Sequence, residues 1–370
     1  MTRLHRNLTR SFPVLLALLL AAPVAAQQEE QQEETKTFTD AHVWGHTSIK
    51  DQNRTGTCWC FSALSFLESE LMRMDQGEYD LSEMFVVNKV YGDKARYYIR
   101  MHGHNNFGPG GLGHDVFNTI ADHGIVREQD YSGLWEYEDG HNHSELHRVL
   151  SGIVDGVLGS RGPSPKWEPA YQAALSTYLG EIPEEITVNG ARLSPVEFRD
   201  RILELDVSPY VEITSFSHKP FYETTALLVP DNWVRYDETW NLPVDDVMEI
   251  LENALNNGYT AVYGGDVSER SFDQSRGWAD WRENEVVTQA DRQETWNNWT
   301  TSDDHGMHIV GIARDEDGTT YYKVKNSWGE TGAYDGYIYM SENFVRAKFD
   351  LITVHRDAIP QDIQARMNLN

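Results

Sequence analysis

The chain is poor in cysteine and poor in positive charge. Only two of its 370 residues are cysteine, and they stand one position apart in "CWC". On a helix, side chains at i and i+2 diverge by about 200°, whereas a disulfide needs converging Cβ atoms. Cys58 and Cys60 are therefore not expected to bond to each other. A zinc site would need further ligands at close spacing, and there is no second cysteine pair; no metal is expected. With 31 Lys and Arg against 58 Asp and Glu, the formal charge is −27. Such a surface repels phosphate backbones and anionic lipid, so neither nucleic acid nor membrane is an expected partner. Beyond residue 26 there is no apolar run of the length a transmembrane helix requires.

One shorter apolar run does occur. Arg3, Arg6 and Arg10 precede Val14 to Ala22, and small residues close the segment at Ala26. This is the pattern of a secretory signal peptide over residues 1–26, too short to span a membrane stably. It predicts export, to a periplasm or the extracellular space. Residues 27–44 begin "QQEEQQEETK" and read as a disordered acidic lead-in. The remainder, 40% hydrophobic overall with eleven Trp, suffices for one large core or two modest ones.

Hydrophobic periodicity separates the two cysteines. A helix is predicted from Cys58 to Met74, stopped by Gly77. Cys60, Leu64, Leu67 and Leu71 form its core stripe, while Cys58, Ser62, Ser65 and Ser69 line a small, polar face. "GPGG" reads as a turn before a helix ending at Gly124. Asn241 to Asn257, with Pro243 near its start, reads as an amphipathic helix, followed by the strand "TAVYGGDV". "HGMHIVGIA" and "TYYKVKNS" read as two strands joined through "DEDG". The predicted organisation is a helical lobe over 45–138, an insertion or subdomain over 139–240, a β-rich lobe over 241–357 and a tail over 358–370.

The candidate chemistry is that of an activated thiol. A cysteine attacks only as thiolate, and Cys58 at a helix N-terminus gains from the dipole and the unpaired N–H groups there. It needs a base and something to orient that base. The hairpin offers His305, His308 and Asn326. Strand parity puts His305, Met307 and Ile309 on one face and His308 on the other. A loop with an even number of residues brings Asn326 to the face of His305; an odd loop or a bulge would favour His308. "HNHSELH" holds His141, His143 and His147, but without a metalloprotease-type carboxylate it reads as a solvated face.

At these residues the chain resembles the papain-like cysteine peptidases. "QNRTGTCWCFSA" is similar to their nucleophile motif, and "HGMHIVG" and "KVKNSWG" to their His and Asn motifs, in the same order. "LSEMFVV" and "GPGG…DHGIVREQDYS" match segments between. The stretch from Cys58 to His305 is far longer than in papain itself, and with "FYETTALLVPDNW" and "NALNNGYTAVYGGDVSE" it looks like the bleomycin hydrolase and aminopeptidase C branch.

The resemblance implies an α+β, two-lobed papain-like fold, a helical lobe plus a β-barrel-like lobe, with a large insertion between them. It implies hydrolysis of peptide bonds without a cofactor, with peptide or protein substrates. Cys58 would be the nucleophile, His305 the general base and Asn326 its orienter. Gln52 and the Cys58 N–H would form the oxyanion hole. Trp328 would shield the His–Asn hydrogen bond, and Gly110, Gly111 and Trp59 would contact substrate. For the branch it implies aminopeptidase action, a homohexamer, and a C-terminal tail lying in the cleft; "HRDAIPQDIQARMNLN" resembles the approach to that tail but stops early. The nearest alternative is an endopeptidase. From other classes come a non-catalytic papain-fold binding protein and, more distantly, a zinc-binding exported protein.

Overall fold

In the computed structural model, residues 36–281 and 286–369 are described. The signal peptide expected over 1–26 lies outside them, as do residues 27–35 of the expected lead-in. Among the described residues no helix is long and apolar enough to cross a membrane.

The first half of the described chain is helical: α1 (Cys58–Arg73), α2 (Glu83–Arg100), α3 (Gly113–His123), α4 (Ser144–Leu158) and α5 (Trp167–Leu179). Their apolar stripes meet in one core that includes Cys60, Leu64, Leu67 and Leu71, the stripe read from the sequence. The Gly124 stop after α3 has φ +73°, a conformation that favours glycine.

The strands are β1 (Phe38–Val43), β2 (Ile186–Val188), β3 (Ala191–Leu193), β4 (Tyr210–Thr214), β5 (Glu223–Thr225), β6 (Thr239–Asn241), β7 (Ala261–Gly265), β8 (Trp278–Ala279), β9 (His305–Asp315), β10 (Thr320–Lys325), β11 (Tyr337–Ser341) and β12 (Phe349–His355). Ten of them form one sheet in the order β5-β6-β4-β12-β7-β9-β10-β11-β8, with β1 paired to β9; β2 and β3 form a separate hairpin. The helix Val244–Asn256, capped by Pro243, lays Val247, Leu251 and Leu255 on the sheet and closes a second core with Met307, Ile309 and Val324. The fold is thus α+β and two-lobed.

Three expectations need correction. Residues 38–43 are not a disordered lead-in but a strand antiparallel to β9. Phe38 holds it down, stacked on Tyr339 at 4.2 Å and edge-on to Tyr321 and Tyr334. Residues 139–240 do not form a subdomain of their own. Leu146, Leu150, Tyr171 and Leu175 complete the helical core, and β4, β5 and β6 extend the sheet beyond β12. Nor is "HNHSELH" a solvated face: His141 and His143 are buried, because Arg54 and this segment exchange backbone hydrogen bonds that draw it under the loop before α1. Among the described residues no group of three or more potential ligands could hold a metal ion.

The two lobes meet along the small face of α1. Ser62, Ser65 and Ser69 are buried there. Their size lets the helix approach β9, and the Ser65 hydroxyl meets polar groups of the sheet. Ser65 Oγ lies 2.9 Å from His308 Nδ1 and accepts from Lys325 Nζ at 2.8 Å. Gly306 faces the same helix. A Cβ on it would stand 2.8 Å from Ser62 Oγ and 3.3 Å from both the Cys58 carbonyl oxygen and the Trp59 Cα. Only glycine lets β9 pass this close to the first turn of α1.

Candidate active site

The hairpin reaches the expected face by an unexpected route. Asp315 pairs with Thr319 around a three-residue loop, an odd count that by itself would set Asn326 against His308. Lys323 then pairs with Gly311, but Val324 pairs with Ile309, so Val310 is an extra residue on β9. The bulge offsets the odd loop. Continued by one step past Lys325 and His308, the register sets Asn326 beside Met307, on the face of His305. Val310 is also where β9 changes neighbours, from β7 at Ala261–Ile309 to β1 at Val43–Gly311, and its carbonyl accepts from Trp44 N.

His305 Nε2 lies 2.8 Å from Asn326 Oδ1, and both residues are buried. As Asn326 Oδ1 can only accept, His305 carries its proton on Nε2 and leaves Nδ1 unprotonated. The Asn326 amide is held at its other end, where Nδ2 donates to Gln274 Oε1 at 2.9 Å, while Ser327 N donates to Asn326 Oδ1. The Trp328 indole lies over the imidazole, centroids 4.7 Å apart, and Phe272 meets that indole edge-on. Its place against the ring limits water access to the His305–Asn326 bond.

Gln52 is tied into the same segment. Its N donates to Ser327 O, its Oε1 accepts from Ser327 Oγ at 2.7 Å, and its Nε2 donates to Thr55 O at 2.8 Å. This orients the amide and leaves the second Nε2 hydrogen available. Cys58 opens α1 as a free, half-buried cysteine; Cys60 is free and fully buried, donating to Glu83 O.

Cys58, Trp59, Gly110, Gly111, His305 and Gly306 line one cavity between the lobes. The glycines are sterically required. A Cβ on Gly111 would press on the Trp59 indole and Asp115 Oδ2, and one on Gly110 would run into the Asp231 carboxylate. Trp59 Nε1 donates to Pro109 O, and the buried Lys94 ammonium holds the Gly108 and Gly110 carbonyls from behind. His308 stands elsewhere, buried on the α1 side of β9. The described C-terminal helix, Gln361–Met367, also lies apart from the cavity, with Ile363 and Met367 in the sheet-lobe core and Arg366 paired to Asp246.

Burial dominates the electrostatics. It pushes the Cys58 thiol up to about 12, against the pull of the Gly306 and Trp59 N–H groups, and the charges of Asp303 and Asp231 add to the rise. Burial pushes His305 down to about 4, opposed by its bond to Asn326. At neutral pH the resting pair is therefore thiol and neutral imidazole. Moving the proton from one to the other creates no net charge, and mutual attraction, the α1 dipole and the two N–H groups offset the burial cost.

Gln274, Ser327, Gly306 and the Val310 bulge were not foreseen from the sequence. Ser327 adjoins the Asn motif and Gly306 lies within "HGMH", which were available signals; Gln274, in a loop before β8, carried none.

Residues 37–175 match the model of the papain family cysteine proteases, and residues 185–370 that of the peptidase C1-like family. Aminopeptidase C of Lactobacillus helveticus is 22% identical over 85% of this chain and 80% of its own length. Aminopeptidase W of Lactobacillus delbrueckii subsp. lactis is 23% identical over 85% and 82%. The crystal structure of PepW from Lactobacillus rhamnosis superposes with a TM-score of 0.72 at 17% identity, covering 89% of this chain and 84% of that one. Sequence family and fold agree: the chain belongs to the peptidase C1-like family, papain-fold cysteine peptidases of the aminopeptidase C branch.

Proposed function

We propose that the protein is an exported aminopeptidase that works through Cys58, His305 and Asn326. The observation that carries the mechanism is the 2.8 Å His305–Asn326 bond, which frees Nδ1 of an imidazole lining the same cavity as Cys58. His305 Nδ1 takes the thiol proton and the sulfur forms a bond to the substrate carbonyl carbon. The resulting oxyanion is met by the Cys58 N–H, which the helix leaves unpaired, and by Gln52 Nε2, each donor contributing about 10²–10³ in rate. His305 returns the proton to the departing amine as the C–N bond breaks, leaving a thioester. Water, deprotonated by His305, then releases the acid and restores the thiol.

The aminopeptidase direction is supported by the relatives over the greater part of the chain, which are named as aminopeptidases. Export is supported by the Arg-flanked apolar run ending at Ala26. Profiling the purified protein on a peptide library with free and acetylated N-termini tests the direction. Sequential loss of N-terminal residues from free peptides only is expected; internal cleavage of acetylated peptides would show an endopeptidase. Fractionation of the native host tests export.

A further inference from the structure

The cleft that holds the catalytic pair is lined by acidic residues. Asp231, Asp303 and Asp304 line the cavity that holds Cys58, and among the described residues no lysine or arginine does. For a nucleophile that must become an anion this is adverse, since Asp231 and Asp303 both disfavour the Cys58 thiolate. A site so arranged gains if its ligand brings a positive charge.

The carboxylates are not committed to the protein's own cations. Asp231 Oδ1 accepts from Asn106 Nδ2 at 2.8 Å, and among the described residues no donor is hydrogen-bonded to its Oδ2. Behind Asp303 stands Asp350, fully buried, with no donor among the described residues bonded to either oxygen apart from the Asp303 carboxyl. Its neighbour is the Asp303 carboxyl, so the two must share a proton. Asp350 Oδ1 also lies 2.9 Å from where a Cβ on the cavity-lining Gly264 would stand. The nearby cations bond elsewhere, and Arg292 Nη2, which is buried without a partner among the described residues, reaches neither carboxylate. Lys94 holds the Gly108 and Gly110 carbonyls, Lys348 binds Glu269 and Thr300 O, and Arg292 donates to Ser215 O and Arg346 O while lying over Phe349. Asp231 meanwhile comes up against Gly110, part of the backbone an extended substrate would follow.

We propose that Asp231 and Asp303, backed by Asp350, form a cation subsite that receives the α-ammonium of the substrate's N-terminus. The source of the cation rests on the aminopeptidase reading above; the subsite itself rests on the cavity. The bound ammonium donates to Asp231 Oδ2 and Asp303, and its charge offsets the field that opposes the Cys58 thiolate. Binding a free N-terminus thus also assists the attack.

The test is steady-state kinetics of the full chain and its Asp303→Asn and Asp231→Asn variants. The four substrates are leucyl-, acetyl-leucyl-, acetyl-lysyl-leucyl- and acetyl-leucyl-leucyl-coumarinylamide. Each variant is expected to lower the leucyl to acetyl-leucyl ratio of kcat/KM by about 10–100-fold, as for loss of a charged hydrogen bond. The rate of Cys58 alkylation by iodoacetate relative to iodoacetamide should rise in both, which a purely structural role would not produce. A fall confined to the lysyl over leucyl preference of the acetylated pair would overturn the α-ammonium assignment in favour of a side-chain ammonium. If the native chain discriminates and both variants keep every ratio, the subsite is wrong while the aminopeptidase reading stands. If the native chain favours acetylated substrates, that reading fails instead. Should Asp303→Asn not fold, Asp231→Asn decides.

Discussion

Asn326 stands on the face of His305, its Oδ1 2.8 Å from Nε2, because β9 carries one more residue than its partner at Val310. Deleting Val310 removes the bulge, setting Ile309 beside Gly311 with Val324 and Lys323 still opposite them, and so keeps Asn326 on the face of His305. It also removes the carbonyl that accepts from Trp44 N. The kcat is expected to stay within about tenfold of native, while the lost acceptor lowers stability by about 1–3 kcal/mol in denaturant unfolding. A Val310 deletion that lowers kcat by about 10³-fold would show that the pairing of Lys323 with Gly311 and Val324 with Ile309 does not set the register of the site.

The parity argument from sequence reached His305 by assuming an even loop and no bulge, and the structure has an odd loop and a bulge. The two departures cancel. A bulge in an all-apolar run such as "HIVGI" leaves no mark in composition, since every residue there is already suited to a strand. The α1 stripe was legible because 3.6-residue periodicity is written directly in leucines. The motifs around Cys58, His305 and Asn326 were legible because the chemistry restricts residue type at each position. Gln274 was not, as an amide holding another amide has no required spacing in the chain. β1 was hidden by its acidic, low-complexity approach and by exposure along most of its length. The acidic subsite was hidden because Asp231, Asp303 and the Asp350 behind it come from three separate segments.

Cys58 and Cys60 should part ways experimentally. Cys58→Ala removes the nucleophile and is expected to lower kcat by at least about 10⁴-fold with thermal stability little changed. Cys60→Ala leaves a small void among the leucines of α1. It should cost about 1–2 kcal/mol in denaturant unfolding while the enzyme stays active. The reverse pattern would refute the assignment of the two thiols.

Gly306 tolerates no side chain. Gly306→Ala puts a methyl group against Ser62 Oγ and the backbone of Cys58 and Trp59. It is expected to lower stability by about 1–3 kcal/mol and to lower kcat/KM through displacement of the α1 first turn. Adding Ser62→Ala removes the nearest of these contacts and should recover part of both losses, read by unfolding curves and steady-state rates.

Gln274 acts on the reaction only through Asn326. Gln274→Ala frees the amide that Asn326 Nδ2 now donates to, so the imidazole loses one level of support. A fall in kcat of about tenfold with little change in KM is expected. Gln274→Glu retains an acceptor and should restore most of the rate.

Away from the cleft, Glu128 gives a pH signature. Burial, and then the charge of Glu83, push its carboxyl up to about 8, from an ordinary value near 4.5. The folded chain therefore holds a proton there that the unfolded chain has lost. The cost of ionising Glu128 is present in full above pH 8 and is relieved as pH falls from about 8 toward 4.5. Glu128→Gln should raise Tm at pH 8.5 more than at pH 6.5, compared with the native chain at each pH. An equal shift at both values would contradict it.

The account as a whole rests on a thioester at Cys58 that His305 makes attainable. Rapid acid quenching during turnover of a leucyl ester, followed by peptide mass mapping, measures it directly. A leucyl adduct confined to the peptide carrying Cys58 is expected, with its formation slowed at least about 10³-fold by His305→Ala. Turnover without any adduct at Cys58, or an adduct that forms as fast without the His305 imidazole, would contradict the account.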